Sequence, residues 1–536
     1  MVSTLESKLR TLFDVPDSDI PPEKRIQHLG AFWPHWNLHK RKCDKTGKEI
    51  ISVFRPECPY PVWHKDEWYK HANPPKAVFD FSEPFFPQAE KFFKQCPIVH
   101  ITGAQNENCE FTDDWWFSRD CYLCHSWYQD EECSYEYRSV RMKNSQFGAF
   151  SFESEHCIDL INSSHCFGIV YGLYLKNCRD SAFCYDCRHC TDCLFCFNLR
   201  NKSYCLWNKQ LSKEEYERQK KQFEYASVSG YQKCQQLFQK MMRDIAWHKS
   251  LYHDMAENCS GNYIGNASDC ENIFFLLDCK NCFNVVRWSE NIHTILDALW
   301  IPMGDAICHS VLVQLNCSNV RMSYQLTESR FVDYSAYSAQ LENCFWCCGL
   351  VRAKNCVMNA SYSAQEYSSL KQKMIDHMKS TGEWWQFFPG SFAPNPYDES
   401  WSSFYFLLSE SEQREQGYFH LPNPEKHNAS YLTIDQLPQT PQEANEETTK
   451  KTFWDDVAQK PFQILPQDIN LCRELKVALP HSHYMRRIQE NFRWMPYNGT
   501  LRTTKCAKSG KEIQTSWPAE YDGRIVSEEE YLKIVG

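Results

Sequence analysis

Glycine is scarce in this chain: 18 of 536 residues, about half the usual ~7%. Collagen-like and glycine-repeat fibres are excluded on that ground. Long apolar runs are missing as well, and no stretch approaches the ~18 residues needed to cross a bilayer. The opening residues, MVSTLESKLRTLFDVPDSDIPPEKR, are charged throughout and lack the apolar centre of a secretory leader, so none is expected. Basic charge is in deficit. Against 68 Asp and Glu stand 58 Lys and Arg, a net charge of −10, and the pI is near 6.0. That balance argues against a chain-wide electrostatic grip on nucleic acid. Nor does the chain hold a P-loop, a GxGxxG turn, a GxSxG elbow or an HExxH helix, the signatures of phosphate, dinucleotide, serine-hydrolase and zinc-protease chemistry. No catalytic residue is singled out.

What is there is a folded composition. Hydrophobic residues make up 42% and charged residues 24%, which suits a globular rather than a disordered chain. The length fits roughly two to four domains. Phe, Trp and Tyr are abundant, at 15%, and so is cysteine, with 29 copies. An odd count precludes full pairing within one chain. Without a leader, the expected setting is reducing and cytoplasmic.

Of the 29 cysteines, 25 lie between Cys96 and Cys356. Nine residues separate Cys124 from Cys133, Cys157 from Cys166, and each step of Cys178, Cys187, Cys196 and Cys205. Twelve separate Cys109 from Cys121, Cys193 from Cys205 and Cys344 from Cys356. Twelve is nine plus three, so one lattice covers both. Fixed short periods mark solenoids, in which each coil buries its inner side chains on the next. Runs such as CFGIVYGLYLKNC read as short strands between Asn, Asp and Ser turns. Asn177, Asn281, Asn343 and Asn355 each precede a cysteine, a turn-favouring residue before a small hydrophobe. The expected fold is mainly β with helical insertions: a cysteine-rich β-solenoid, parallel β-helix-like, over residues 105–378. Small degenerate zinc-ribbon-like modules flank it. The insertions fall at about 212–255 and 363–378, where Ser212–Glu215 and Ser363–Glu366, 151 residues apart, read as capping boxes.

The two ends also match. RKCDKTGKEIIS (41–52) corresponds to TKCAKSGKEIQT (504–515) at an offset of 463. Residues 1–75 are read as a helix plus a ribbon-like module and 76–104 as a connector. Residues 379–450 read as a Pro-, Ser- and Glu-rich connector, and 451–536 as the C-terminal ribbon-like module. A zinc ribbon needs four Cys or His ligands in two close pairs. The positions available are Cys506, Ser509, Ser527 and Glu530 at one end, and Cys43, Thr46, His64 and Glu67 at the other. Both modules are therefore expected to fold without zinc. The densest run, CYDCRHCTDCLFC, offers Cys184, Cys187, Cys190 and Cys193 as candidate zinc or iron–sulfur ligands. The competing reading is a ladder of buried packing thiols. No cofactor is expected, zinc being the one alternative.

Binding residues are clearer. Trp115, Trp116, Trp127, Trp384, Trp385 and Trp401 are more rings than a narrow solenoid buries easily, and exposed aromatic patches mark partner sites. The stretch 481–505 sets Arg486, Arg487 and Arg493 among Trp494 and Tyr497, a mixture suited to stacking on single-stranded RNA.

The combination of RKCDKTGKEIIS, the Asn-Cys triplets, NLRNKSYCLWNKQLSKEEY, GKEIQTSW and the closing EEEYLK resembles a cysteine-rich family common in candidate phyla radiation (patescibacterial) bacteria. The likeness spans nearly the whole chain, and residues 198–202 are its most specific part. It implies cysteine-rich repeats flanked by zinc-ribbon-like modules. The family's C-terminal ribbon carries full cysteine pairs where this chain has Ser509, Ser527 and Glu530. A preceding paired module falls on residues 455–458 and 483–486, with no cysteine left. The family brings no assigned activity.

The expected function is a non-catalytic cytoplasmic binding scaffold. It presents an aromatic solenoid surface and its end modules to a macromolecular partner, a protein before RNA or the ribosome, with no membrane involved. The alternatives are an RNA- or ribosome-associated factor using residues 481–505, and a carbohydrate-active enzyme in a solenoid groove.

Overall fold

The computed structural model describes residues 4–268 except 14, 17, 35, 36 and 72; residues 273–280, 296, 298, 299, 310, 311, 313, 314 and 320; residues 324–421; and residues 430–536 except 498. Asn281 and four cysteines of the 96–356 span, Cys270, Cys282, Cys308 and Cys317, lie outside the described residues, as do the side chains of Trp115, Trp127 and Cys279. Two compact units divide the chain. Among the described residues no helix is long and apolar enough to cross a membrane.

The first unit comprises Met1–Ile101, Leu251–Pro422 and Tyr497–Arg502. Strands Tyr324–Thr327, Arg330–Asp333, Ala336–Phe345 and Val351–Val357 pair in parallel at a register of twelve, as in Tyr324↔Ala336 and Cys344↔Cys356. The helix Ala364–Ser380 follows, opened by a complete capping box between Ser363 and Glu366. Much of the aromatic excess goes into this unit's core. Phe85, on the helix Phe85–Phe93, lies 4.4 Å from the Trp346 ring, and Trp33, Trp346 and Trp401 are fully buried. Trp401 and the buried Trp385 are therefore core, not surface.

The second unit comprises Thr102–Ser250, Asn423–Pro496 and Thr503–Gly536. From Glu107 onward, parallel bridges join residues twelve apart, as in Glu107↔Arg119↔Glu131 and Tyr122↔Ser134↔Gln146. The backbone works in units of three. A bridging residue is followed by one in the left-handed region, with φ between +43° and +63° at Asn108, Phe111, Asp114 and nearly every third residue to Trp207. Then comes a side chain that turns inward. The inward positions are filled by small groups, among them Cys133, Ser145, Cys157, Ser163, Cys178 and Cys184, all buried. Left-handed geometry costs a residue with a Cβ ~1–2 kcal/mol. Backbone hydrogen bonds offset that cost: Asp120 N donates to Glu107 O at 2.9 Å and Glu107 N to Ser118 O at 3.0 Å.

This arrangement accounts for the cysteine lattice. Twelve is the pairing register. Nine is the reach of an inward thiol, for Cys178 Sγ donates to Cys187 O at 3.3 Å and Cys196 Sγ to Cys205 O at 3.3 Å.

The mainly β class, a β-solenoid flanked by ribbon-like modules, is corrected by the structure. The described residues are mixed α and β, with twelve α-helices and separate open sheets of two to six strands. No solenoid or closed sheet is found among them. The three-residue unit goes with this: left-handed residues recur at nearly every third position, and no strand between 105 and 207 is longer than four residues. What a continuous sheet would supply is left to isolated bridges, and helices cover the rest. Val228–Asp244, Pro466–Leu475 and Tyr484–Phe492 are three of them. Val228–Asp244 buries Tyr231, Cys234, Phe238 and Met241 along one stripe. Its Gly230 has a structural reason, because a Cβ there would sit 2.2 Å from Glu224 O.

Candidate binding cleft at the end of an aromatic face

One column of left-handed positions in the second unit is almost wholly apolar: Leu123, Tyr135, Phe147, Asp159, Tyr171, Phe183, Phe195 and Trp207. Parallel strands lie ~4.8 Å apart, so flat side chains twelve residues apart stack. Tyr135 and Phe147 do so at 4.5 Å and 13°, Phe183 and Phe195 at 5.2 Å and 21°, and Phe195 and Trp207 at 4.7 Å and 8°. Helices cover the column from Phe147 onward: Phe238 meets Tyr171 at 5.1 Å, and Arg487 lies over Phe147 at 4.0 Å.

Towards its start the cover thins. There a cavity of about 280 Å³ opens, lined by the rings of Tyr122, Tyr135, Phe147, Phe462 and Tyr484 together with Leu123, Pro461 and Pro480. Thr452, Gln463, Ser482 and His483 supply its polar edge. The hairpin Thr452–Asp455 and Lys460–Gln463 and the turn before helix Tyr484–Phe492 form the far wall.

The lining holds no Asp, Glu, Lys, Arg or Cys. Burial, with help from the Lys460 charge, lowers the His483 pKa to about 3, and its Nδ1 accepts from Met485 N at 3.2 Å. The imidazole is thus neutral and occupied. Behind the wall, Asp468 accepts from Tyr135 Oη at 3.3 Å, Gln146 Nε2 at 3.0 Å and Leu465 N at 2.8 Å. Such a site can bury a ring or an apolar side chain and hydrogen-bond its edge. Its polar groups are hydroxyls, one amide and one imidazole, with no carboxylate among the lining residues.

The residues singled out in the sequence are dispersed. Arg487 is buried, its guanidinium engaged by Asp159 at 2.5 Å, so it is not free to meet a phosphate. Arg486 pairs with Asp455 at 3.1 Å and Glu490 at 2.9 Å. Trp494 is buried, donating from Nε1 to Tyr171 Oη at 3.2 Å; Arg493 is exposed and lies over the Trp494 ring at 4.7 Å. Tyr497 belongs to the other unit, packed on Phe274 at 4.9 Å. Trp116 is half-buried in strand Asp113–Trp116, donating to Asp114 at 3.1 Å; Trp115 shares that strand. Of the stretch 481–505, only Ser482, His483 and Tyr484 reach the cleft.

Cys184, Cys187, Cys190 and Cys193 are buried inward positions whose sulfurs donate to main-chain carbonyls, at 3.3 Å for Cys184 and 3.4 Å for Cys190. Among the described residues no group of three or more His, Cys, Asp and Glu is placed to hold a metal ion. The end modules share one hydrogen-bond pattern. Cys43 N donates to Lys48 O and Cys506 N to Lys511 O, both at 2.8 Å, and each sulfur accepts at 3.4 Å, from His64 N and Ser527 N. Burial opposes ionisation of Cys506, yet bonds from Ser509 and neighbouring amides bring its pKa down to about 7. Asp455 accepts in a comparable way, from Val457 N and Ala458 N at 3.0 Å and from His483 N at 2.8 Å.

Sequence reasoning missed Tyr122, Leu123, Tyr135 and Phe147. For the last three the signal was the same twelve-residue spacing, carried by apolar side chains rather than sulfurs.

No family model matches the chain, and neither a curated protein nor a solved structure is detectably similar to it.

Proposed function

We propose that this chain is a non-catalytic binding scaffold of the cytoplasm, whose cleft at Tyr122, Tyr135, Phe462 and Tyr484 receives a ring-bearing apolar segment of a partner protein. The observation that supports this most is the uncharged, ring-lined cavity at the thinly covered start of a stacked aromatic column. Aromatic side chains bring large contact area at low entropic cost and dominate interface energetics. The free thiols along the chain suit a reducing compartment.

Selection of a displayed peptide library on the full chain tests this. Enrichment of aromatic-containing peptides is expected, with binding weakened at least about tenfold, or ~1.4 kcal/mol, by Tyr484→Ala or Phe462→Ala while the melting temperature stays near wild type. Enrichment without ring residues, or variants that bind equally, contradicts it.

A further inference from the structure

Elsewhere on the second unit, the bridged column Glu107, Arg119, Glu131, Lys143, Glu155 alternates in sign along its length. The Arg119 and Glu131 side chains form an ion pair. Beside it, Arg141 reaches Glu153 at 2.6 Å. Opposite charges directly across a strand pair stabilise it, and like charges do the reverse.

In the column beside that of Glu107 and Arg119, one running Val140, Phe152, Ser164 and on to Lys176, that rule is broken. Lys176 bridges Arg188, which bridges Arg200, so three cations stand in single file with no anion between them. Arg179 lies in the neighbouring column and Lys202 follows Arg200 by two residues. Lys176, Arg179, Arg188 and Lys202 are exposed, and none forms an ion pair with another described residue. Only Arg200 is tied down, by Asp186 at 3.2 Å and Tyr531 Oη at 2.7 Å. The left-handed positions beside the file are Asn177, His189 and Asn201, a strip of donors and acceptors, while His165 below them is held by Glu153 at 3.1 Å. Arg179 lies over the Phe167 ring at 5.0 Å. Asp180 and Asp192 bound the strip on one side.

We infer that this strip, Lys176–Arg188–Arg200 with Arg179 and Lys202, binds the phosphate backbone of a single-stranded nucleic acid. A single file of cations fits one phosphodiester strand, not the width of a duplex. The flanking Asn and His meet base edges, and the Arg179–Phe167 pair offers a stacking surface. In a chain of net charge −10, Lys176, Arg179, Arg188 and Lys202 stand without a salt-bridge partner among the described residues, while Arg200 and Arg188 both act on the buried Asp186 carboxylate.

The probe is a fluorescein-labelled oligouridylate of about 15 nucleotides, titrated with the full chain by anisotropy between about 50 and 200 mM salt. Each lost contact on a single strand lowers the log K–log salt slope by ~0.7. Lys176→Gln with Arg188→Gln is expected to reduce the slope by about 1.4 and low-salt affinity more than tenfold. Arg141→Gln, on the ion-paired column, leaves both unchanged. Should the double variant fail to fold, Arg179→Gln alone is expected to lower the slope by ~0.7. Absence of binding at low salt, an unchanged slope, tighter binding of a duplex, or equal competition by polyglutamate overturns the inference.

Discussion

Arg487 grips Asp159 at two points, Nε to Oδ1 at 2.9 Å and Nη2 to Oδ2 at 2.5 Å. Asn491 Nδ2 and Tyr231 Oη complete the carboxylate's shell at 3.2 and 2.5 Å. Asp159 is the one acid in the aromatic column, and both partners are buried. Burial works against the guanidinium's charge, but Asp159 outweighs it and raises the Arg487 pKa above its ordinary value.

Removing one member of this pair strands the other charge. Arg487→Ala is expected to cost about 3–5 kcal/mol in urea denaturation. Asp159→Leu combined with Arg487→Met is expected to recover much of that loss. A single variant within ~1 kcal/mol of wild type contradicts the assignment.

Asp468 makes stability pH-dependent in a defined direction. Burial raises its pKa from 3.8 to about 7, against the bond from Leu465 N that lowers it. The folded state therefore holds a proton that the unfolded chain has released. Its contribution is complete below about pH 4 and is lost as pH rises through about 7. His483 acts oppositely, its lowered pKa costing stability as pH falls below ~6.5. The difference in stability between wild type and Asp468→Asn isolates the first effect: it is expected to shrink from pH 4 to pH 7.5, read from urea midpoints. A pH-independent difference contradicts it.

Inward thiols are expected to exchange for hydroxyls. Cys178 Sγ donates to Lys176 O at 3.5 Å and Cys187 O at 3.3 Å. Ser151 Oγ reaches the equivalent carbonyls, Ala149 O at 3.3 Å and Leu160 O at 2.8 Å. Cys178→Ser is then expected to cost ~1 kcal/mol or less, and Cys178→Leu ~1–3 kcal/mol by overpacking. A strong chelator leaves both melting temperatures unmoved. Chelator-induced loss of wild-type stability would replace packing with metal.

The three-residue lattice was legible because cysteine occupies inward positions so often. So was one of the two capping boxes, at Ser363, which makes both bonds; Ser212 accepts from Glu215 N at 3.2 Å, but Glu215 turns to Arg218 instead of reaching back. The correspondence of the two ends survives as matched contacts of Cys43 and Cys506. The helical cover was not legible. Arg487 reads as a surface cation until Asp159, 328 residues away in sequence, is found beside it. Nor does spacing alone show the recurrent left-handed residues, since Tyr, Phe and Trp rarely adopt that geometry. The cleft was hidden for a related reason: its rings come from three distant segments.

Filling the cleft from within tests the central claim most directly. Leu123 stands at φ +49°, in the column where Trp207 stands at φ +51°, so Leu123→Trp is compatible with the backbone. Its ring is expected to extend the stack over Tyr135 and occupy the cavity. The measurement is anisotropy of a selected ring-bearing peptide against wild type and Leu123→Trp, paired with thermal denaturation. Binding reduced at least about tenfold, with an equal or higher melting temperature, is the predicted result. Undiminished binding by a folded Leu123→Trp chain contradicts the cleft as the binding site.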